Sequence, residues 1–278
     1  MIKLDAKNYY DKGTKALSNS RIKDYLTCPR YFYNKHIACT IEDDPKEAFV
    51  FGGIVDKLLS GEDFDKNYEV CEGIRTKKLK EDAESRGVTL LTPLQYQEIF
   101  EVADAVEKTD AFKYIKERAT FQDILQIPYE INEHFDSLTG RPDFWWIDGD
   151  GTCFIVDLKT SAVVDHRKYY YQALGFKYQQ QLAMYEMLIS SLNNVKSFRS
   201  FNLVVSKQKN IYGVELFEYP RELINDAKLS LLETIDKIAQ DKSFAKYNPS
   251  FNNPIILGSF SNDEVGTGDW SDGEDKEE

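Results

Sequence analysis

The sequence predicts an α/β protein, in which a mixed central sheet is flanked by helices and preceded by a helical N-terminal region. Two observations support this prediction. Up to about residue 120 the apolar residues recur at helical spacing, except in the charged and irregular stretch 62–90, and from Ile124 the pattern changes to strand-like alternation. From there the predicted order is three strands, a helix, two strands and a helix. Since 42% of the 278 residues are hydrophobic, the chain can bury a core of this kind.

Three helices are expected in the N-terminal region. The first covers residues 20–36 and is interrupted near Pro29, because proline cannot donate the hydrogen bond that a helix interior needs. The second covers residues 48–59. The third begins after Thr92, which is followed by a proline and then by a glutamine that can complete a capping box, and it is expected to reach Arg118.

Five strands and two further helices are expected after residue 120. The alternating Asp and Gly residues of 148–151 predict a hairpin turn between the second and third strands. The third strand is almost continuously apolar, which is typical of a central strand covered on both faces. The strands cover residues 124–131, 141–147, 153–158, 201–206 and 212–219, and the helices cover 169–191 and 220–240.

The chain is expected to form one domain over residues 1–260, mainly helical in 1–120 and with the central sheet and its helices in 121–242. Residues 261–278 combine acids with glycines and are expected to be a disordered tail. No apolar run approaches the ~18 residues that a membrane helix needs, and no leader with a cleavage site is evident. We therefore expect a cytoplasmic protein without a membrane partner.

The net charge of −12 does not exclude a nucleic-acid partner, because the charge is unevenly distributed. Residues 263–278 carry −7 of it, whereas residues 1–40 have eight basic side chains against three acidic ones. Screening makes nearby charges decide, so a basic DNA-binding face is compatible with an acidic protein.

Candidate catalytic residues lie on the two arms of the predicted hairpin. Asp143 and Asp157 are separated by thirteen residues, so that carboxylates on neighbouring strands ~4.8 Å apart can share one cation. Asp157 and Lys159 are two positions apart and face the same side of one strand. A hard cation such as Mg²⁺ binds carboxylates, waters and phosphate oxygens. A salt bridge at a strand end is the alternative interpretation.

These residues resemble the signature of the PD-(D/E)XK nucleases, in which a Pro-Asp pair precedes an acid-x-Lys triplet. Other segments are similar to the RecB-nuclease-like branch and to phage exonucleases of the RecE type. The five segments, in the family's order, are Ser18–Ile22 leading into Cys28–Tyr33, Phe51–Asp56, Pro142-Asp143, Asp157–Lys159 and Gln181–Tyr185. The resemblance implies a restriction-endonuclease-like fold and a deoxyribonuclease that depends on Mg²⁺ or Mn²⁺.

The resemblance also implies roles for single residues. Asp143, Asp157 and the backbone carbonyl of Leu158 would bind the metal, and Lys159 would orient the attacking water and stabilise charge at phosphorus. Asp56 stands where this branch usually has a histidine, and its oxygen ligand favours Mg²⁺ or Mn²⁺ over zinc.

Further candidate ligands and DNA contacts are less closely tied to the signature. Glu130, at the end of a predicted strand, is a candidate for an additional ligand or for support of one. Gln181 and Tyr185 share one helical face and are candidate DNA contacts, although Tyr185 is also compatible with a core position. Arg30 could bind a phosphate or form a surface salt bridge, and Ser20 is a further candidate DNA contact.

An iron–sulfur cluster is not expected, although related iron–sulfur nucleases have a cysteine near Cys28. Those clusters need three more cysteines in the C-terminal part, and this chain has none after Cys153.

The sequence therefore predicts a metal-dependent DNA nuclease. An exonuclease acting on DNA ends in phage or mobile-element recombination is favoured, with a recombination annealing or single-strand-binding protein as a possible partner. A structure-specific or restriction-type endonuclease and a DNA-binding module without catalysis are the alternatives.

Overall fold

The computed structural model confirms the predicted fold class, with mixed sheets flanked by helices. The predicted acidic tail, 261–278, lies outside the described residues, and the single domain over 1–260 stays a prediction. The structure describes residues 4–5, 8–9, 11, 13–41, 47–61, 64–162, 164–208 and 211–242.

The N-terminal region is interrupted at Pro29, as the sequence predicts. Cys28 is extended, with φ −163° and ψ 116°, and it separates two helices. A short strand that was not expected from the sequence precedes them. The elements are β1 (Ala16–Ser18), α1 (Asn19–Thr27), α2 (Pro29–Phe32), a π-helical turn (Tyr33–Ile37) and α3 (Glu47–Leu59).

The capping box at Thr92 is confirmed, but the single helix predicted to follow it is wrong. Two helices form instead, because the side chain of Thr109 accepts a hydrogen bond from the amide of Phe112 and starts a new helix. The elements are α4 (Phe64–Asn67), β2 (Tyr68–Val70), α5 (Lys77–Ser85), β3 (Thr89–Leu91), α6 (Pro93–Glu107) and α7 (Asp110–Arg118).

The strands form three sheets. The elements are β4 (Thr120–Phe121), β5 (Leu125–Pro128), β6 (Ser137–Gly140), β7 (Phe144–Ile147), β8 (Thr152–Ser161), α8 (His166–Gly175), α9 (Tyr178–Leu192), β9 (Ser197–Ser206), β10 (Val214–Glu218) and α10 (Arg221–Gln240). The central sheet has the order β10-β9-β8-β7-β4, with β8 and β9 parallel and the other pairs antiparallel. A second sheet has the order β1-β6-β5, and β2 pairs with β3.

The predicted hairpin at 148–151 is confirmed, since β7 and β8 pair across this turn. The helix predicted over 169–191 is two helices, because Lys177 adopts a left-handed conformation with φ 56° between α8 and α9. None of the described helices is long and apolar enough to cross a membrane.

Strand β8 separates two hydrophobic cores. Cys153 and Ile155 face a core formed largely with α9 and α10, and Val156 and Leu158 face a core formed with α3 and α6. The strand is therefore covered on both faces, as its apolar sequence predicts. Among the described strands, its C-terminal half, beyond Val156, pairs only with β9, because β7 begins at Phe144, the partner of Val156. This open edge of β8 is where the candidate site lies.

Candidate active site

The chain crosses from the second sheet, β1-β6-β5, to the central sheet between Gly140 and Phe144, beside α9. A Cβ atom on Gly140 would come within 2.8 Å of Cδ1 of Leu188 and 3.0 Å of the Tyr185 ring. Only glycine allows β6 to approach α9 this closely. This close packing brings Asp143, at the end of the crossing, to the open edge of β8.

Asp143 and Asp157 lie next to each other across this edge. Asp143 is one position beyond the last paired residues of β7 and β8, Phe144 and Val156. Its Oδ2 atom accepts a hydrogen bond from the backbone amide of Leu158 at 2.7 Å. Burial, followed by repulsion from Asp56 and Asp157, raises the pKa of Asp143 well above its ordinary value. The site therefore concentrates negative charge where little water can screen it.

Asp157 is buried, with 1% of its surface exposed, and its two carboxylate oxygens have different surroundings. Oδ2 contacts the ammonium group of Lys159 and accepts a hydrogen bond from the amide of Asn202 at 3.3 Å. Oδ1 is buried and has no hydrogen-bond partner among the described residues. A buried carboxylate oxygen without a donor is costly, and a bound cation would remove that cost.

Lys159 is held between Asp157 and the ring of Tyr178, whose centroid lies 4.8 Å from Nζ. Burial alone would lower the pKa of Lys159, but the charges of Asp157 and Asp143 outweigh it and raise the pKa to about 12. Lys23, on α1, contacts the same ring, with Nζ 5.5 Å from the centroid. Burial and the nearby Lys159 lower the pKa of Lys23 to about 8.

Asp56 reaches the site from α3, on the other side of the central sheet. Its carboxylate accepts a hydrogen bond from the side-chain amide of Gln122, and Arg141 donates to the oxygen of that same amide. The backbone amide of Gln122 also donates to the carbonyl of Asp143 at 3.0 Å. Gln122 adopts a left-handed backbone conformation with φ 47°. It connects Asp56 to the Arg141–Asp143 crossing.

The available ligands fit a hard divalent cation. Asp56, Asp143 and Asp157 offer only carboxylate oxygens, which suit Mg²⁺ and Mn²⁺. Among the described residues no three His, Cys, Asp or Glu side chains are gathered closely enough to hold a metal ion. Lys159 contacts Asp157 and the side-chain amide of Gln122 contacts Asp56, which are two of these three carboxylates. The unpartnered Oδ1 of Asp157 is the atom that best fits a metal.

The structure gives Tyr185 a core position, which was the alternative to a DNA contact. Its side chain is buried, and its hydroxyl group donates to the carbonyl of Arg141 at 3.1 Å. The side chain of Gln181 donates to the Tyr185 hydroxyl at 2.7 Å. Tyr185 therefore supports the crossing that carries Asp143. Gln181 is half-buried beside it, and its amide already has a partner inside the protein.

The remaining candidate residues are not brought to the carboxylates. Glu130 is exposed and follows β5 at the end where Pro128 pairs with Ser137, whereas the site lies beyond the other end of β6. Glu130 therefore lies away from the carboxylates of the site, which argues against a role as a metal ligand. Arg30 is exposed on α2, and Ser20 is exposed on α1 with its hydroxyl group 2.9 Å from that of Ser18.

Four residues of the site were missed from the sequence: Lys23, Gln122, Tyr178 and Asn202. Of these, Asn202 had the clearest signal, since it is an amide within the apolar run of a predicted strand. A polar residue at such a position must find a buried partner. Gln122 had no comparable signal.

The family model described as the PD-(D/E)XK nuclease superfamily matches residues 16–250. A solved structure of a candidate exonuclease from Eubacterium rectale is similar, with a TM-score of 0.62 and 15% identity, covering 86% of this chain and 87% of that chain. This likeness shows the fold. The structure of SSO0001 is 14% identical and covers 67% of this chain and 84% of that chain, but its TM-score of 0.30 is too low to indicate a shared fold. No curated protein is significantly similar in sequence.

Proposed function

We propose that this chain, which belongs to the PD-(D/E)XK nuclease superfamily, is a metal-dependent deoxyribonuclease with Asp143, Asp157 and Lys159 at its active site. The observation that carries the proposal is the carboxylate of Asp157. One of its oxygens is held by Lys159 and Asn202, and the other is buried without a donor among the described residues.

Each residue would contribute to phosphodiester hydrolysis in its own way. Asp56, Asp143, Asp157 and the carbonyl of Leu158 would hold Mg²⁺ or Mn²⁺, which when bound acts as a Lewis acid and lowers the pKa of water. The protonated ammonium group of Lys159 would orient the attacking water and stabilise charge developing on the phosphate oxygens.

The finer assignment in this proposal is an exonuclease that acts on DNA ends in phage or mobile-element recombination. Its support is the Gln181–Tyr185 segment, which is similar to a motif of RecE-type exonucleases, and the fold shared with the candidate exonuclease from Eubacterium rectale. A recombination annealing or single-strand-binding protein in the bacterial or infected-cell cytoplasm would be its partner. Of the DNA contacts predicted from sequence, Arg30, Ser20 and the exposed part of Gln181 remain candidates.

The test compares two forms of the same DNA. The purified protein is incubated with Mg²⁺ or Mn²⁺ and either an end-labelled linear duplex or a covalently closed circle of the same sequence. We expect degradation of the linear form alone, and no degradation by Asp157→Asn. Cleavage of both forms would replace the exonuclease by an endonuclease. DNA binding without cleavage of either form would contradict the nuclease proposal.

A further inference from the structure

A buried polar network lies directly behind Asp157. Asn202, on β9, is the paired residue of Asp157 in the parallel ladder and is fully buried. Its side-chain oxygen accepts hydrogen bonds from the hydroxyl groups of Tyr169 at 2.9 Å and Tyr219 at 2.6 Å. Its side-chain nitrogen donates to the backbone carbonyl of Asp157 at 3.3 Å and to Oδ2 at 3.3 Å. Three elements, α8, β9 and the segment after β10, thus converge on one carboxylate.

The chemistry of these partners fixes the orientation of the Asn202 amide. Both groups that Asp157 presents are acceptors, so only the NH₂ end of the amide can face them. The oxygen end then faces Tyr169 and Tyr219, whose hydroxyl groups each have a proton to donate. A rotated amide would place three oxygens together with no proton between them. Because both hydroxyl groups donate to its oxygen, the amide is also polarised towards stronger donation at its NH₂ end.

This arrangement determines which oxygen of Asp157 is available. Lys159 and Asn202 both bind Oδ2, and rotation of the carboxylate about its Cβ–Cγ bond would break both contacts. Oδ1 is left as the oxygen without a donor among the described residues.

We propose that Asn202, held by Tyr169 and Tyr219, is a positioning residue that makes Asp157 offer one oxygen alone to the metal ion. The inference rests on the proposed function, since it assumes that Asp157 binds a divalent cation. Its consequence is metal selectivity. Mg²⁺ requires strict geometry and few protein oxygens, whereas Ca²⁺ readily accepts both oxygens of one carboxylate. Restricting Asp157 to Oδ1 therefore favours Mg²⁺ over Ca²⁺.

The test removes the whole network at once, so that no buried tyrosine hydroxyl loses its acceptor. Replacing both partners of a hydrogen bond by apolar groups of similar shape is far less damaging than removing one. The variant carries Tyr169→Phe, Asn202→Leu and Tyr219→Phe, and Mg²⁺ and Ca²⁺ affinities are measured by calorimetry without DNA. We expect Mg²⁺ affinity to fall about tenfold or more and Ca²⁺ affinity to change less than about threefold.

Ser200→Ala is the matched control. Ser200 is buried on the same face of β9 and donates to Glu186 at 2.6 Å, and no contact joins it to Asp157 in the described structure. Its loss should lower the melting temperature and leave the ratio of Mg²⁺ to Ca²⁺ affinity unchanged. The double variant Tyr169→Phe with Tyr219→Phe keeps Asn202 but removes both hydroxyl donors to its side-chain oxygen, so that the amide is no longer held in one orientation. It should shift the ratio in the same direction, and it serves as the test if the triple variant does not fold.

The outcomes separate the two proposals. A fall in the Mg²⁺ to Ca²⁺ affinity ratio in the network variants, and not in Ser200→Ala, supports the positioning role. An unchanged ratio, in the triple variant or in the double variant if that alone folds, overturns this role and leaves the nuclease proposal intact. If the unaltered protein binds neither cation, the metal centre itself is wrong.

Discussion

The carboxylates of Asp157 and Asp56 are held in the site in two different ways. Asp157 lies within a ten-residue strand, is 1% exposed, and is contacted by Lys159 from the same strand and by Asn202 from the next. Asp56 is half-buried on α3, and its link to the catalytic sheet in the described structure includes the side chain of Gln122. Backbone pairing positions Asp157, whereas side-chain contacts position Asp56.

The site therefore has a fixed part and an adjustable part. The fixed part is Asp157 with its partners on β8 and β9, and the adjustable part is Asp56 on α3 with Gln122. The position of a residue in a sheet is determined by ladder hydrogen bonds on its own and neighbouring strands. A helix that packs on a sheet can shift when one contacting side chain changes. We therefore expect substitutions next to Asp157 to affect catalysis or metal binding without moving the strand backbone. Substitutions next to Asp56 should instead change how α3 is positioned relative to the central sheet.

The largest effect is expected on the fixed part, from Lys159→Ala. Loss of a positioned ammonium group should lower kcat about 100-fold or more and leave DNA affinity within about threefold. Single-turnover cleavage and separate binding titrations measure the two quantities. Lys113→Ala, which removes an exposed lysine that contacts Asp110, is the control. Turnover within about threefold of the unaltered protein would remove Lys159 from the mechanism.

A smaller effect is expected on the adjustable part, from Gln122→Ala. This change deletes the amide that joins Asp56 to Arg141, so we expect about a tenfold loss of Mn²⁺ affinity, as for other residues that orient a metal ligand. Gln97→Ala is the control, since Gln97 is exposed and contacts Glu101 on its own helix. If both variants bind Mn²⁺ as the unaltered protein does, α3 does not depend on Gln122 for its position.

Asp143 lies between the two parts, and its replacement should stabilise the metal-free protein. Because burial and two neighbouring carboxylates raise the pKa of Asp143 in the folded state, ionisation there opposes folding. The stability linked to this group is fully present below the unfolded pKa of about 3.9 and is lost as the pH rises through the raised folded pKa. Asp143→Asn should therefore raise the melting temperature at pH 7 by about 2–4 °C, or about 1 kcal/mol.

Calorimetric melting in a chelator checks this prediction, and the gain should vanish as the pH falls below the unfolded pKa. Asp150→Asn is the control, because hydrogen bonds from Thr152 lower the pKa of Asp150 and its ionised form is favoured in the fold. A melting temperature for Asp143→Asn equal to or below that of the unaltered protein at pH 7 would show that the charge cluster is not costly.

The smallest effect is expected when alanine replaces either of two adjacent glycines of α3, Gly52 and Gly53. A Cβ atom on Gly53 would meet nothing within 4 Å, so Gly53→Ala should stabilise the helix by up to about 1 kcal/mol. A Cβ atom on Gly52 would lie 3.3 Å from Oγ1 of Thr160, and Gly52→Ala should lose that gain and move α3 relative to β8. Equal melting temperatures and equal Mn²⁺ affinities for the two variants would mean that Gly52 does not set this distance.

The sequence was most informative where function depends on neighbours along one strand or across one hairpin. The contact of Asp157 with Lys159 follows from their spacing of two, and the approach of Asp143 to β8 follows from the hairpin turn. The breaks at Thr109 and Lys177 were missed because a hydrophobic pattern with helical spacing continues through both of them.

Contacts that depend on packing between distant elements could not be predicted. The Tyr185 hydroxyl reaches the carbonyl of Arg141 only because Gly140 lets β6 lie against α9, and that approach is not encoded in the spacing of a helix. Asn202 meets Asp157 through a parallel pairing across 45 residues of chain. For the same reason Glu130, close to the signature in sequence, lies at the wrong end of its strand pair.

The two edge strands of the central sheet also bear on how the protein behaves in concentrated solution. Strand β4 has two residues, and β10 has five, with the carboxylates of Glu215 and Glu218 exposed along it. An open strand edge invites pairing with another molecule, and a short or charged edge resists it. Docking of a second chain onto β10 would bring like charges together and disturb the Arg199–Glu218 ion pair. The short β4 edge and the charges on β10 therefore disfavour growth of the central sheet into intermolecular aggregates, although Leu216 on β10 is also exposed.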